Sequence, residues 1–370
     1  MIRGAPAAAV ERALDRAEPL VGARDRTGSA IRGYAGELPD GRLVRDVLGR
    51  RPIFVGSDGE WGFGPDGLAD PDPVPAGAVR SADGSLERAF SLPDPDPVAD
   101  RRAAASAVGD ALDASLGAVE DDGLAVAFSG GVDSAVVASA VDAPLYVVGF
   151  PDSHDVAAAR TAAGLMGRAP DLRVVELSPA DVERAVPAVA RAIGRTNAMD
   201  VQIALPLFLA AERAARDGFD RLAVGQGADE LFGGYAKVAR APEDPRVEAD
   251  TVRGAAREVT RTLSEQLERD VLALRAAGVE PVAPLLDDRV VRAALALPGD
   301  LLVDSRGERK KALRLAAREF VPDAVAFREK KAVQYGSLVA RELDRLARQA
   351  GFKRRIDDHV STYVESRVGE

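Results

Sequence analysis

The sequence contains no cysteine. That excludes disulfides, thiolate metal sites, iron–sulfur clusters, persulfide carriers and a cysteine nucleophile. Histidine is almost as scarce. His154 and His359 are the only two, and their separation argues against a histidine-based zinc site. Lysine is rare as well: the six stand at positions 237, 310, 311, 330, 331 and 353, so four of them crowd into 310–331. No apolar run approaches the ~20 residues of a membrane-spanning helix, and no membrane partner is expected. The first residues soon meet Glu11, Arg12 and Asp15, which does not read as a secretory leader, so the expected location is cytoplasmic.

Positive charge is in short supply overall. The net charge is −10 and the pI about 5.0, a balance without general attraction to nucleic acid. Abundant Asp beside scarce Lys is the composition of a halophilic protein, kept soluble in high salt. With 370 residues and 46% hydrophobic content, the chain suits two domains better than one core.

The most informative stretch runs from Leu124 to Ser134. Leu124–Phe128 is apolar and reads as a buried strand. Ser129-Gly130-Gly131 makes a turn, and Asp133-Ser134 opens an Ala- and Val-rich helix to about Val141. Converging N–H groups and the positive end of a helix dipole make such a turn an anion site. Asp133 would repel a bare phosphate, so its position calls for a divalent cation between carboxylate and phosphates. The stretch therefore reads as a pyrophosphate cradle for Mg-ATP.

Downstream, strands alternate with helices: strand 124–128, helix 133–141, strand 145–150, helix 156–166, strand 172–177, helix 180–193, helix 203–216 and strand 220–224. This pattern predicts a parallel sheet covered on both faces, with ligands at the carboxyl ends of its strands. From about Glu243 the pattern is mainly helical. Residues 1–100 differ: Gly, Pro and Asp interrupt short strand-like runs, which predicts a small, mostly β domain with one helix at Ala7–Ala17. The proline-rich run Ser91–Pro97 reads as the linker between domains.

Ser129-Gly130-Gly131-Val132-Asp133-Ser134 resembles the signature loop of the PP-loop ATP pyrophosphatases, which cleave ATP between the α and β phosphates and adenylate a substrate. A second motif narrows the resemblance. Gly225-Gln226-Gly227-Ala228-Asp229-Glu230-Leu231-Phe232-Gly233-Gly234-Tyr235 resembles that of the asparagine synthetases in all but one position. Further blocks follow in the family's order: Val147–Phe150, Thr196–Asp200 as a substrate-side segment, Glu280–Arg289, Lys310–Arg314 and Phe327–Lys331. Arg45-Asp46-Val47-Leu48-Gly49-Arg50-Arg51-Pro52-Ile53 resembles the second half of that family's glutaminase domain. That glutaminase works through an N-terminal cysteine; Ile2 stands at position 2 here, so the domain is expected to be degenerate and to pack on or shield the synthetase part.

The resemblance implies a doubly wound α/β fold of the PP-loop (adenine nucleotide α-hydrolase-like) type. A smaller, mostly β N-terminal domain (1–95, partly like a class II glutamine amidotransferase) precedes the synthetase-like domain (100–350) and a C-terminal tail or helix (351–370). It implies nucleotide binding by Ala127, Ser129, Gly130, Gly131, Asp133, Ser134, Val148, Val224 and Gly225, and magnesium ligation by Asp133 and Asp229. Lys330 matches the catalytic lysine that neutralises phosphate charge as the α–β bond breaks. Gln226 stands where the family has a Glu beside the acyl-adenylate, and an amide cannot act as a base; Val224 stands where it has Ser. Glu230 and Tyr235 read as packing or capping residues of their loop.

The implied activity is an ATP- and magnesium-dependent, amide-forming ligation of a small-molecule carboxylate with ammonia or another amine. The alternatives are a nucleotide-binding pseudoenzyme or another PP-loop enzyme, tRNA-modifying or lactam-forming. The acid, the amine and the oligomeric state, a homodimer among the outcomes, are left open.

Overall fold

The computed structural model describes residues 1–22, 30–241, 243–328, 337–353 and 358–369. The chain divides into two compact units, each built from three segments. Unit 1 comprises Met1–Val119, Gly225–Glu268 and Ala283–Glu319; unit 2 comprises Glu120–Val224, Arg269–Val282 and Phe320–Glu370.

Unit 1 opens with short antiparallel strands. β1 (Ile2–Arg3), β2 (Ala35–Glu37), β3 (Leu43–Arg45), β7 (Ala78–Arg80) and β8 (Leu86–Arg88) form one sheet in the order β1-β2-β3-β7-β8. β4 (Phe54–Val55), β5 (Trp61–Gly62) and β6 (Asp72–Pro73) form a second, smaller sheet. Side chains of the larger sheet alternate between two cores, as the strand period of two requires. Leu43 and Ala78 join Ile53, Val55 and Val74, whereas Val44 and Val79 join Val10 and Ala13 of helix α1 (Ala7–Arg16). The mostly β character expected for this region is thus observed.

The glutaminase-like run Arg45–Arg50 has a defined structural job in this unit. Arg45 is 2% exposed; its guanidinium donates to the Val74 and Gly49 carbonyls and pairs with Glu268. Arg50 lies between two fully buried carboxylates, with Nε 2.8 Å from Asp46 Oδ1 and Nη1 2.6 Å from Asp288 Oδ1. Its Nη1 also donates to the Leu286 carbonyl, and Asp288 Oδ2 accepts from the Gly22 N–H. The run therefore ties the β layers to residues 268 and 286–288. Helix α2 (Arg101–Leu116), N-capped by Asp100, completes the first segment.

Unit 2 carries the parallel sheet: β9 (Leu124–Ala127), β10 (Leu145–Gly149), β11 (Leu172–Glu176), β12 (Arg221–Ala223) and β13 (Glu280–Val282), in the order β11-β10-β9-β12-β13. All its pairings are parallel. β9 and β10 are buried along almost their whole length, which explains their unbroken apolar sequence. The chain leaves β9 through α3 (Val132–Ser139), reaches β10, passes α4 (His154–Leu165) to β11, and returns by α5 (Pro179–Ile193) and α6 (Ala198–Arg216) to β12 on the other side of β9. β9 and β12 thus flank the point where strand order reverses, the place where open α/β sheets bind ligands.

Two elements differ from expectation. β13 was hidden within a helical stretch because it is three residues long and centred on Pro281; it lies at the sheet edge, where the missing N–H is tolerated. α6 begins at Ala198 rather than near 203. Asn197 caps it through the Asp200 N–H, and Pro206 is accommodated inside it, so the substrate-side segment 196–200 is a helix cap and first turn.

Helices supply the rest: α7 (Ala228–Leu231), α8 (Ala236–Ala239), α9 (Val252–Arg261), α10 (Leu263–Ala276), α11 (Asp288–Leu295), α12 (Gly299–Leu302) and α13 (Lys311–Ala317), then α14 (Asp323–Ala326), α15 (Val339–Gln349) and α16 (His359–Val368). Among the described residues no helix is long and apolar enough to cross a membrane.

Candidate active site

The Ser129–Ser134 turn stands at the carboxyl end of β9, in unit 2. Gly130 has φ +72°, and a Cβ there would lie 2.6 Å from both the carbonyl carbon and the oxygen of Ala158. Only glycine allows the turn to press onto the α4 backbone in this way. Gly131 is the N-cap of α3 and Asp133 lies in its first turn, half-buried, so the helix's unbonded N–H groups face the turn. Ser134 Oγ accepts from the Ser129 N–H at 3.2 Å and donates to the Gly131 carbonyl at 3.1 Å. The hydroxyl expected to meet nucleotide thus braces the turn from within.

The strand ends gather the other expected nucleotide residues. Ala223 is the register partner of Val126, so Val224 leaves β12 beside Ala127. Val148 lies on the adjoining β10, two residues beyond Tyr146, the partner of Ala127. Arg328 donates to the Ala158 carbonyl at 3.0 Å, the group that Gly130 packs against. Lys330, the expected catalytic lysine, lies outside the described residues.

The second loop belongs to unit 1. Val224 leads through Gly225 and half-buried Gln226 to Gly227, whose φ of +88° opens the short helix α7. Asp229 and Glu230 are neighbours with opposite surroundings. The Asp229 side chain is 46% exposed. Glu230 is buried, accepts from the Tyr235 hydroxyl at 2.6 Å, and is pushed up to about 7 by burial and then by the charge of Asp229. Tyr235 also lies 3.1 Å from Gln266 Oε1. The packing role expected for Glu230 and Tyr235 matches this geometry.

Sequence reasoning assigned Lys310 no partner. It precedes α13 with φ +59°, is 7% exposed, and places Nζ 2.8 Å from Asp229 Oδ1. Gly234 makes the approach possible: a Cβ there would lie 1.9 Å from Asp229 Oδ1 and 2.4 Å from Lys310 Cε. The Gly234 N–H donates to the Asp229 carbonyl, Arg309 donates to the Gly234 carbonyl, and Arg314 to that of Arg309. The crowding of lysine into 310–331 was the signal that could have singled it out.

Among the described residues no group of three or more His, Cys, Asp or Glu side chains could hold a metal ion. Asp133 and Asp229 each offer hard carboxylate oxygens with partial solvent access. That suits magnesium, which commonly takes one or two carboxylates and fills its sphere with phosphate oxygens and water. His154 is exposed at the start of α4.

A family model described as asparagine synthase matches residues 105–253 and 239–365. A Methanocaldococcus jannaschii protein named "Putative asparagine synthetase (glutamine-hydrolyzing) 1" is 32% identical over 286 residues, covering 67% of this chain and 52% of its own length. "Asparagine synthetase B (glutamine-hydrolyzing)" of Escherichia coli is 27% identical over 190 residues, 50% of this chain and 33% of that protein. "Asparagine synthetase (glutamine-hydrolyzing) 1" of Lotus japonicus is 25% identical over 339 residues, 78% and 54% respectively. The chain spans about half the length, or less, of these relatives.

Proposed function

The chain belongs to the asparagine synthase family, and from that premise we propose that it is an ATP-dependent, amide-forming ligase working through an acyl-adenylate. The observation that carries this reading is the placement of two motifs. The Ser129–Ser134 turn follows β9 and the Gly225–Tyr235 loop follows β12, adjacent strands at the switch point of the sheet.

In this reading a carboxylate oxygen of the acid substrate attacks the α-phosphorus of ATP, the α–β anhydride bond breaks, and pyrophosphate leaves. The amine then attacks the acyl carbon, the bond to AMP breaks, and the amine loses a proton. The Ser129–Gly131 backbone and the α3 N-terminus hold the phosphates, with the turn kept rigid by Ser134 and by the packing of Gly130. Asp133 and Asp229 each act as a carboxylate ligand to magnesium, which when bound neutralises charge on the departing pyrophosphate. Ala127, Val148 and Val224 provide apolar strand ends for the base, and Lys330 the catalytic cation. Gln226 can donate or accept a hydrogen bond but cannot take the amine's proton, so that proton leaves through solvent or a neighbour. With no cysteine in the sequence, the nitrogen comes as free ammonia or the amine of another substrate. Aspartate is the first acid to try.

ATP–pyrophosphate exchange over a panel of carboxylic acids tests the reading. Magnesium-dependent exchange with one acid, lost in Lys330→Met, is the expected result. ATP binding without exchange under any acid would overturn it in favour of a pseudoenzyme.

A further inference from the structure

Resting on the reading of the chain as a ligase that adenylates an acid, we propose that the C-terminal helix α16 is a positioning element for that acid: through Ser361 and Glu365 it fixes the Thr196–Asp200 turn at the start of α6, against which the acid binds.

The ends of α6 stand at opposite ends of the parallel sheet, all within unit 2. Its C-terminus leads into β12 through residues 217–220. There the Tyr146 hydroxyl, near the start of β10, donates to the Asp217 carboxylate at 2.6 Å, and Arg173, near the start of β11, pairs with the same group. The other end of the helix therefore points toward the carboxyl ends of the strands. α6 packs against β9 and β10. Its 19 residues span about 28 Å, against about 17 Å for the five residues of β10. Its first turn thus reaches past the sheet, at the end where the Ser129–Ser134 turn leaves β9 and where open α/β sheets take their ligands.

That turn is not a second phosphate cradle. The Ala198 N–H donates to Ser361 Oγ at 3.0 Å, and the Asp200 N–H to Asn197 Oδ1 at 3.0 Å. Asp200 adds a carboxylate, held by Arg269 at 2.9 Å, the Asn197 amide at 2.8 Å and Arg195 at 3.3 Å. Two donors are spent and negative charge stands in the first turn, which disfavours an anion there. Met199 beside them is 52% exposed, an adaptable apolar surface. This suits the organic part of an acid rather than pyrophosphate.

The restraint from α16 is one that α6 cannot supply itself. An N-cap side chain reaches the N–H groups of the second or third helical residue, and Asn197 serves the third. The first, on Ala198, is served by Ser361 from the far end of the chain. Thr196 donates to Glu365 Oε1 at 3.3 Å, and Arg367 pairs with Glu183 of α5. α16 packs against α5 and α6 and buries Val360, Tyr363 and Val364.

Amide hydrogen exchange of the full chain, read by mass spectrometry, tests the first link. Ser361→Ala should exchange several-fold faster over 197–200, and Ser361→Thr, which keeps the hydroxyl, should not. Pyrophosphate exchange tests the second, with aspartate or whichever acid of the panel supports exchange in the wild type. Ser361→Ala should raise the KM for the acid about fivefold, the worth of one lost helix cap, while the KM for ATP stays within about twofold. Glu365→Ala, at an exposed position, should show the same split more weakly. Unchanged amide exchange in Ser361→Ala would overturn the proposal. So would an acid KM that does not move, or one that rises together with that for ATP, the mark of a merely structural helix. A wild type that supports exchange with no acid would overturn the reading beneath it as well.

Discussion

Unit 1 holds two clusters of charge built from similar parts for opposite ends. In one, Arg50 lies between Asp46 and Asp288 with all three side chains at most 1% exposed. In the other, Lys310 meets Asp229 beside the buried Glu230, and Asp229 stays almost half exposed. Burial lowers the Arg50 guanidinium, but the two facing carboxylates more than offset that, so its charge is secured. Arg50 also donates to the Leu286 carbonyl, while its Nη2 is buried without a hydrogen-bond partner among the described residues. In the lysine cluster the Asp229 carboxylate meets the Lys310 ammonium at 2.8 Å and its side chain stays 46% exposed. The buried arginine between two buried carboxylates makes a joint; the lysine pair keeps its carboxylate at the surface.

The sharpest way to break the comparison is Arg50→Met. It strands two buried carboxylates, and the expected loss is about 3–5 kcal/mol of stability, read from the urea midpoint. If the joint is only a joint, the protein that remains folded should bind Mn²⁺ as the wild type does. Gly234→Ala attacks the other cluster. The added Cβ falls inside the contact distance of Asp229 Oδ1, so the Lys310–Asp229 pair cannot form as it stands. Activity should fall by about a hundredfold, with a stability loss of about 1–3 kcal/mol, separable by comparing pyrophosphate exchange with thermal melting.

The smallest effect concerns the turn that leads into Lys310. The Glu308 N–H, and then the Arg306 N–H and guanidinium, hold the Asp304 carboxyl down to about 2. A depressed carboxylate stabilises the fold above its unfolded value near 4 and loses that contribution as pH falls toward 2. Wild type and Asp304→Asn should therefore differ modestly in melting temperature at pH 6 and converge by pH 2.

The parallel sheet and the phosphate turn were legible because their signals are local. Apolar runs mark β9 and β10, and strand, glycine and acid follow one another within eleven residues from Leu124 to Ser134. What was not legible was long-range. Nothing near Lys310 announces Asp229, 81 residues away in the chain, and nothing near Arg50 announces Asp288. The run Arg45–Arg50 was read by resemblance to a glutaminase. Its residues form a buried joint within unit 1. β13 was lost because a three-residue edge strand with a central proline carries almost no periodicity.

The interleaving of the two units has a consequence for how the chain comes into being. The sequence passes between units after residues 119, 224, 268, 282 and 319. On the ribosome the opening β layers emerge first, yet Glu268 and Asp288, the partners of Arg45 and Arg50, follow more than 170 residues later. For that interval the nascent chain carries two arginines destined for burial with only their early partners made, Asp46 for Arg50 and the Gly49 and Val74 carbonyls for Arg45. A protein with this thread cannot complete one unit before beginning the other, and its N-terminal hundred residues cannot be expected to survive as an isolated fragment.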